Sequence, residues 1–145
     1  AGIAAYRPVG SRMHLVHPGG GRVIIDDCYN ANPTSDRAAI DSLASLSGRH
    51  VCILGDMLEM GGNAPELHRS VGEYAAAHGV DLVITQGELA KYIAEGAGTA
   101  GEHYADRASL LAALPELLHE GDAVLVKASH GAHFEEISEA VKQLS

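Results

Sequence analysis

RVIIDDCYNANPTSDRAAIDSL, residues 22–43, holds the pattern that decides the fold of this 145-residue chain. A short apolar run, 22–26, stops at two aspartates, a polar loop follows, and Pro33 then opens an amphipathic stretch. An unbroken run of β-branched residues is typical of a strand buried on both faces, and Asn32 before a proline is typical of a helix start. The stretch therefore predicts a strand, a polar loop and a helix, in that order.

The same alternation continues along the rest of the chain. Further apolar runs predict strands over residues 50–54, 80–85 and 122–126, with a weaker edge strand over 102–105. Helix-like stretches lie between and after them, at residues 34–47, 65–78, 87–97, 106–119 and 132–144. The run MHLVH, followed by Gly19 to Gly21, predicts a β-hairpin that leads into the first strong strand.

Strands that alternate with helices favour right-handed crossovers and a sheet covered on both faces. We therefore predict one α/β, Rossmann-like domain over residues 1–145. Its mostly parallel sheet should have about six strands with helices on both faces, preceded by the β-hairpin.

Composition narrows the class of partner. The formal net charge is −9, which argues against a nucleic-acid backbone or an anionic membrane as the main partner. No apolar run approaches the roughly 18 residues that a membrane-spanning helix needs. Cys28 and Cys52 are the only cysteines and form no metal or disulfide motif, so a reduced, cytoplasmic setting is expected. Because the chain opens without Met, it is expected to be a piece of a larger protein.

Polar residues follow the predicted strands where each one ends. In an open α/β sheet, ligands gather beyond the carboxyl ends of parallel strands, so these residues should meet at one edge. They include Asp26, Asp27 and Asn30 after the first strong strand, Asp56 after the next, Thr85 after the third, and Lys127, Ser129 and His130 after the last.

Two of these groups have structural alternatives. Asn32 can cap the helix that Pro33 opens. This role does not explain Asp26 and Asp27, whose adjacent carboxylates repel each other unless a hydrogen-bond donor such as a ribose hydroxyl compensates their charge. Lys127 can snorkel to water at the sheet edge, or it can join Ser129 and the next helix start in holding a carboxylate or phosphate. A capping role for Ser129 stays open as well.

Common phosphate and metal motifs are missing from the sequence. There is no GxxxxGK[ST] loop, and Gly19 to Gly21 precede a strand and lack the GxGxxG spacing. His130 and His133 are three residues apart without an evident third ligand, so no metal site is predicted in this chain.

Three motifs together carry a family resemblance that spans nearly the whole chain. DDCYNANPTSDRAAID, LGDMLEMGGNAPELHRSVG and GDAVLVKASHG resemble the C-terminal domain of the Mur ligases, within them the branch that adds D-alanyl-D-alanine. The resemblance implies an ATP-dependent ligase that phosphorylates the carboxylate of UDP-MurNAc-tripeptide with Mg²⁺ and joins D-Ala-D-Ala to it, for peptidoglycan synthesis in the bacterial cytoplasm. It also implies an N-terminal domain for the UDP-substrate and a central ATPase domain, which holds most of the ATP and Mg²⁺ and packs against this one. We expect a monomer, and no turnover by the 145-residue chain alone.

The same resemblance implies roles for single residues. Arg12 and Asp27 match family positions that contact the nucleotide, and Asn30 and Asn32 match the loop that faces ATP. Ser129 matches a position that contacts the incoming substrate, and Lys127, His130, Asp56 and Thr85 are predicted beside it as the D-Ala-D-Ala site. Related sequences often have arginine where this chain has His130, a weaker and pH-dependent charge.

Two other classes remain open from the sequence. A phospho-receiver module of the response-regulator kind also places an acidic pair, a hydroxyl residue and a lysine after its strands, which Asp27, Thr85 and Lys127 imitate, and Asp56 would then accept the phosphoryl group. The order of strands and the Tyr-Asn-Ala-Asn-Pro run do not suit that class. The second alternative is the C-terminal domain of another Mur ligase or of folylpolyglutamate ligase.

Overall fold

The computed structural model describes residues 14–19, 22–27, 32–57, 61–128 and 134–143. Its strands are β1 (His14–Gly19), β2 (Arg22–Asp27), β3 (His50–Leu54), β4 (Leu82–Gln86), β5 (Gly101–Tyr104) and β6 (Ala123–Lys127). Its helices are α1 (Pro33–Ala44), α2 (Ala64–Ala77), α3 (Ala90–Ala97), α4 (Arg107–Leu117) and α5 (Glu135–Lys142). Every predicted strand and helix is therefore present, with ends that shift by a few residues.

All six strands belong to one sheet, in the order β1-β2-β6-β3-β4-β5. β1 runs antiparallel to β2, and each of the other neighbouring pairs is parallel. The predicted hairpin is thus confirmed, and its first strand is the edge strand of the sheet itself. β6, the last strand in the chain, lies between β2 and β3, so the ends of the first and last parallel strands meet in the middle of the sheet.

Helices cover both faces of the sheet, as predicted. On one face, α1, α2 and α3 bury apolar side chains against β2, β3, β4 and β6, among them Ile40, Val71 and Ile93. On the other face, α4 and α5 do the same with Leu110, Leu114, Phe134, Ile137 and Val141. Cys52 lies in the first of these cores, where burial raises the pKa of its thiol and Asp36 adds to the effect. None of the described helices is both long and apolar enough to cross a lipid bilayer.

The amino-terminal edge of the sheet is closed by a structural ion pair. Arg49 donates to both carboxylate oxygens of Asp122, at 3.1 and 2.9 Å, and to the carbonyl of Leu117 at 2.6 Å. The Asp122 carboxylate raises the pKa of the Arg49 guanidinium, so this pair stays charged. Because this edge is occupied by its own contacts, ligand chemistry is expected at the opposite edge, beyond the carboxyl ends of the strands.

Candidate functional site

The register of the sheet places three of the predicted site residues, Asp27, Lys127 and Thr85, in one row. The row crosses five parallel strands, at Asp27, Lys127, Leu54, Thr85 and His103. Neighbouring strands lie about 4.8 Å apart, so the backbones of Asp27 and Thr85 are about 14 Å apart. A dipeptide spans only about 7 Å when extended, which is about half of that separation. The row is long enough for two neighbouring subsites.

Asn32 caps α1, as the structural alternative predicted. Its Oδ1 accepts a 2.8 Å hydrogen bond from the amide of Ser35, and its own amide donates to Ser35 Oγ at 3.1 Å. These reciprocal bonds form a capping box and fix the start of the helix. The nucleotide-facing role of Asn32 stays a prediction.

Asp56 caps a helix that is distant in sequence. Its Oδ1 accepts hydrogen bonds from the amides of Leu89 and Ala90, at 3.0 and 2.8 Å, at the start of α3. Leu89, at the cap position of α3, makes no side-chain capping bond of its own. The carboxylate after β3 therefore stabilises the helix after β4, and its predicted contact with D-Ala-D-Ala stays a prediction.

Thr85 is buried and pairs with a histidine on the edge strand. Thr85 Oγ1 lies 2.7 Å from His103 Nδ1, across the β4–β5 register. His103 borders an open cavity of about 210 Å³ together with Gly87, Glu88, Lys91 and Ala105. Desolvation, and then the charge of Lys91, lower the pKa of His103. The Thr85 hydroxyl thus orients a neutral imidazole at the far end of the row, and its dipeptide role stays a prediction.

Lys127 is buried among protein groups. Its side chain is 1% exposed, and its Nζ lies 4.0 Å from Oδ1 of Asp36, which is equally buried. The alternative in which Lys127 snorkels to water is therefore wrong. The other alternative, in which Lys127 helps to bind the carboxylate of the dipeptide, stays a prediction. In that case the Lys127 ammonium would contact the dipeptide carboxylate as well as Asp36.

Three residues of this region were missed from sequence. No site role was predicted from the sequence for Asp36, His68 or Arg107. Asp36 and His68 carried a usable signal, since each occupies the apolar stripe of its helix, with Ala39, Ile40 and Leu43 in α1 and with Ala64, Val71 and Ala75 in α2. A charged or polar residue on such a stripe must find a partner inside the protein.

Arg107 gave no such signal because the partners described for it come from two segments that are distant in sequence. Its Nε donates to Gln86 Oε1 at 3.1 Å, its Nη1 donates to Glu136 Oε1 at 3.1 Å, and its guanidinium lies 5.3 Å from the centre of the Phe134 ring. It joins the end of β4 to the start of α5, next to the predicted dipeptide region.

Several predicted site residues lie outside the described residues: Arg12, Asn30, Ser129 and His130. The backbone of Asp27 is placed in the row by its register, whereas its side chain is not described. Within the described ranges, no three His, Cys, Asp or Glu side chains are placed to hold a metal ion. The described residues therefore do not form a site for the Mg²⁺ that the family resemblance implies.

Comparison with known proteins places this chain among ligases. Residues 11–130 match the family described as Mur ligase, glutamate ligase domain. The chain is 39% identical over 94% of its length to the UDP-N-acetylmuramoyl-tripeptide–D-alanyl-D-alanine ligase of Bacillus subtilis. It is 36% identical over 99% of its length to the enzyme of that name from Escherichia coli. It covers 31% and 32% of these two relatives, so it spans about a third of their length.

Solved structures give the same result. A crystal structure of MurF ligase from Thermotoga maritima in complex with ADP superposes with a TM-score of 0.82 and 26% identity, covering 98% of this chain and 33% of that one. A crystal structure of MurF from Acinetobacter baumannii gives a TM-score of 0.85 and 28% identity, covering 98% and 32% of the two chains. The fold predicted from the sequence is therefore confirmed.

Proposed function

Because this chain belongs to the Mur ligase family through the glutamate ligase domain matched by residues 11–130, we propose that it serves a D-alanyl-D-alanine-adding ligase. In this proposal the chain is the C-terminal domain of an ATP-dependent enzyme that joins D-Ala-D-Ala to UDP-MurNAc-tripeptide. The enzyme works as a monomer in the bacterial cytoplasm, in the synthesis of peptidoglycan precursors. The observation that carries the proposal is similarity over nearly the whole chain to relatives bearing that name.

The chemistry is amide formation in two steps. The peptide carboxylate takes the γ-phosphoryl group of ATP and forms an acyl phosphate, and ADP leaves. The amine of the dipeptide then attacks the acyl carbon, the new C–N bond forms, and inorganic phosphate departs. ATP and Mg²⁺ are assigned mainly to a central domain that packs against this one, as the family resemblance implies.

The role proposed for this chain is to position the reactants. The row from Asp27 to Thr85 supplies two separated subsites, with the nucleotide ribose at the Asp27 end and the dipeptide toward the Thr85 end. Holding the amine of the dipeptide close to the acyl phosphate lowers the barrier to attack. The ADP bound to the MurF ligase of Thermotoga maritima supports a nucleotide in such an enzyme.

A receiver module is not favoured, because the family match identifies a ligase domain and Asp56 Oδ1 already accepts two helix amides. The test uses a full-length enzyme that ends in this sequence, incubated with ATP, Mg²⁺, UDP-MurNAc-tripeptide and D-Ala-D-Ala. We expect ADP release that requires both UDP-MurNAc-tripeptide and D-Ala-D-Ala. Mass spectrometry should show a product that contains the dipeptide. L-Ala-L-Ala and free D-glutamate serve as controls, and ligation of a single amino acid in place of the dipeptide would overturn the assignment. The 145-residue chain alone should show no ATP turnover.

A further inference from the structure

The carboxyl end of β6 holds a buried ion pair. Lys127 Nζ and Asp36 Oδ1 are 4.0 Å apart, and each side chain is only 1% exposed. Removing an ammonium and a carboxylate from water is costly unless each compensates the other. At this burial the attraction between the two charges is also much stronger than it would be at the surface. The two buried charges therefore stabilise each other.

Asp36 transmits this contact to the first turn of α1. Its amide donates a 2.8 Å hydrogen bond to the carbonyl of Asn32, which is the first backbone bond of the helix. Asn32 in turn exchanges two hydrogen bonds with Ser35 in the capping box. A fixed Asp36 side chain therefore fixes the helix start, including Asn32, relative to whatever holds Lys127.

Lys127 is held by the strands on either side of it. Its Cα is in register with Asp27 on β2 and with Leu54 on β3. Its carbonyl also accepts a 3.0 Å hydrogen bond from the amide of Gly55. The backbone of Lys127 is thus anchored at the centre of the row, in the middle of the sheet.

We propose that Lys127 is a positioning residue whose ammonium, paired with Asp36, sets the place of Asn32 and the first turn of α1 against the row. In this role the charge of Lys127 compensates a protein carboxylate, in place of the carboxylate of the dipeptide. The purpose of positioning Asn32 rests on the proposed ligase function. The ion pair between Lys127 and Asp36 does not depend on that function. The proposal therefore has one test on the chain itself and one on the ligase.

The first test is a double-mutant cycle on the 145-residue chain, with Lys127→Met, Asp36→Asn and the double variant. Met keeps much of the length of the lysine stem, and Asn keeps the shape of the carboxylate. Each single variant removes one partner of the ion pair and should melt several degrees lower, whereas the double variant should lose clearly less than the sum of the two single losses. Amide exchange at residues 35–37 should be faster in all three variants than in the wild type.

Lys91→Met is the control for this cycle, because Lys91 is an exposed lysine next to the far end of the row. It should show no coupling to Asp36→Asn. Losses of melting temperature that simply add in the Lys127 cycle would overturn the proposal. If Lys127→Met does not fold, a folded double variant supports the proposal and an unfolded one overturns it.

The second test measures kinetics in the full-length ligase. If Lys127 positions Asn32 through Asp36, Lys127→Met and Asp36→Asn should each lower kcat/KM by about tenfold, the double variant should lose no more than either, and KM for D-Ala-D-Ala should move little in all three. A KM for D-Ala-D-Ala that rises in Lys127→Met and not in Asp36→Asn would show that Lys127 binds the dipeptide. Losses of kcat/KM that multiply in the double variant would show that the two residues act separately, and either result overturns the proposal. If the wild-type enzyme does not ligate D-Ala-D-Ala, the proposed function is refuted. The ion pair is still tested separately by the melting temperatures of the double-mutant cycle.

Discussion

His68 accepts a hydrogen bond from the amide of Met57, at 2.8 Å from its Nε2. Its other nitrogen, Nδ1, lies 2.6 Å from the carbonyl of Ala64, which can only accept, so Nδ1 carries the proton. The buried ring is therefore a neutral imidazole in one tautomer, and it ties the segment after β3 to the first turn of α2. Protonation of Nε2 would place two hydrogens between Nε2 and the Met57 nitrogen and break that contact.

The first prediction is that His68 makes the fold sensitive to acid. Desolvation lowers the pKa of His68 in the folded chain, whereas the unfolded value is about 6.5. Between the two values the unfolded state binds a proton that the folded state does not. The contribution to stability is therefore fully present above about pH 6.5 and is lost as the pH falls below that value and through the folded pKa, by at most about 1.4 kcal/mol per pH unit.

The measurement is the melting temperature at pH 7.5 and pH 5.5 for the wild type and for His68→Gln. The wild type should lose more stability on acidification than the variant does. His78→Gln serves as the control, since it makes the same replacement at an exposed histidine on the turn after α2 and keeps the His68 ring in place. An equal acid loss in the wild type and in His68→Gln would refute the role assigned to this ring.

The second prediction concerns Gly72, where α2 and α3 approach backbone to backbone. A Cβ at this position would clash with the carbonyl of Ile93 and lie 2.8 Å from the amide nitrogen of Ala97. Alanine normally stabilises a helix interior by about 1 kcal/mol relative to glycine. Here the clash forces the helices apart, so we expect Gly72→Ala to lower stability by about 2–3 kcal/mol.

Chemical denaturation of Gly72→Ala checks this expectation. Gly62→Ala is the matched control, because nothing lies within 4 Å of a Cβ at Gly62 and its stability should change little. If Gly72→Ala is as stable as the wild type, then α2 and α3 are packed less closely than described.

The third prediction concerns Ser138, a buried hydroxyl on α5. It is 2% exposed, and no described residue forms a hydrogen bond with its Oγ. An unsatisfied buried hydroxyl costs about 1–3 kcal/mol, and alanine is also the better helix former. Ser138→Ala should therefore raise the melting temperature by a few degrees.

Ser70→Ala is the matched control for Ser138→Ala. Ser70 lies on α2 and its Oγ donates a 2.7 Å hydrogen bond to the carbonyl of Leu67, so its replacement gains helix propensity but loses a bond. We expect Ser138→Ala to be clearly more stable than Ser70→Ala in the same buffer. The reverse order would show that the Ser138 hydroxyl has a stabilising partner.

The order of strands and helices could be predicted because it depends on local sequence patterns, namely unbroken apolar runs for strands and apolar stripes for helices. One strand boundary that differs is set by hydrogen bonds of the residues before the strand. The strand predicted over 80–85 begins only at Leu82, because the amide of Val80 donates to Ala75 and closes the end of α2, at 3.1 Å. The amide of Asp81 then donates to the carbonyl of His50, at 2.8 Å. Neither hydrogen bond could be predicted from the identities of residues 80 and 81.

The meeting of Asp27, Lys127 and Thr85 at one edge of the sheet was predictable, since parallel strands bring their carboxyl ends together. The partners of its residues were not predictable, because they come from distant segments. Lys127 meets Asp36 of α1, and Thr85 meets His103 of the edge strand. A polar residue on the apolar stripe of a helix predicts that a buried partner exists, but it does not show which residue is the partner.

The final prediction separates the two roles that Asp56 can have. Its Oδ1 accepts from the amides of Leu89 and Ala90, and a side chain at Gly87, where φ is +132°, would collide with this carboxylate. Asp56→Ala leaves both amides without an acceptor, at a cost of about 1–2 kcal/mol, which should lower the melting temperature by roughly 3–8 °C. If capping is its only role, the KM for D-Ala-D-Ala in the full-length ligase should not change.

Asp106→Ala is the matched control, because Asp106 caps α4 through a 2.7 Å bond from the amide of Ser109 and was not predicted to contact substrate. Hydrogen bonds from Ser109 lower the pKa of the Asp106 carboxylate, so it too is a charged cap. Both variants should therefore lose stability while the KM for D-Ala-D-Ala stays within about twofold of the wild type, a difference of about 0.4 kcal/mol. A rise of about tenfold in Asp56→Ala alone would show that the carboxylate serves the dipeptide as well as the helix. Asp56→Asn decides between loss of charge and loss of fold, since the amide oxygen of Asn can still accept from Leu89 and Ala90. A normal melting temperature with a raised dipeptide KM in Asp56→Asn would place the negative charge in the substrate site.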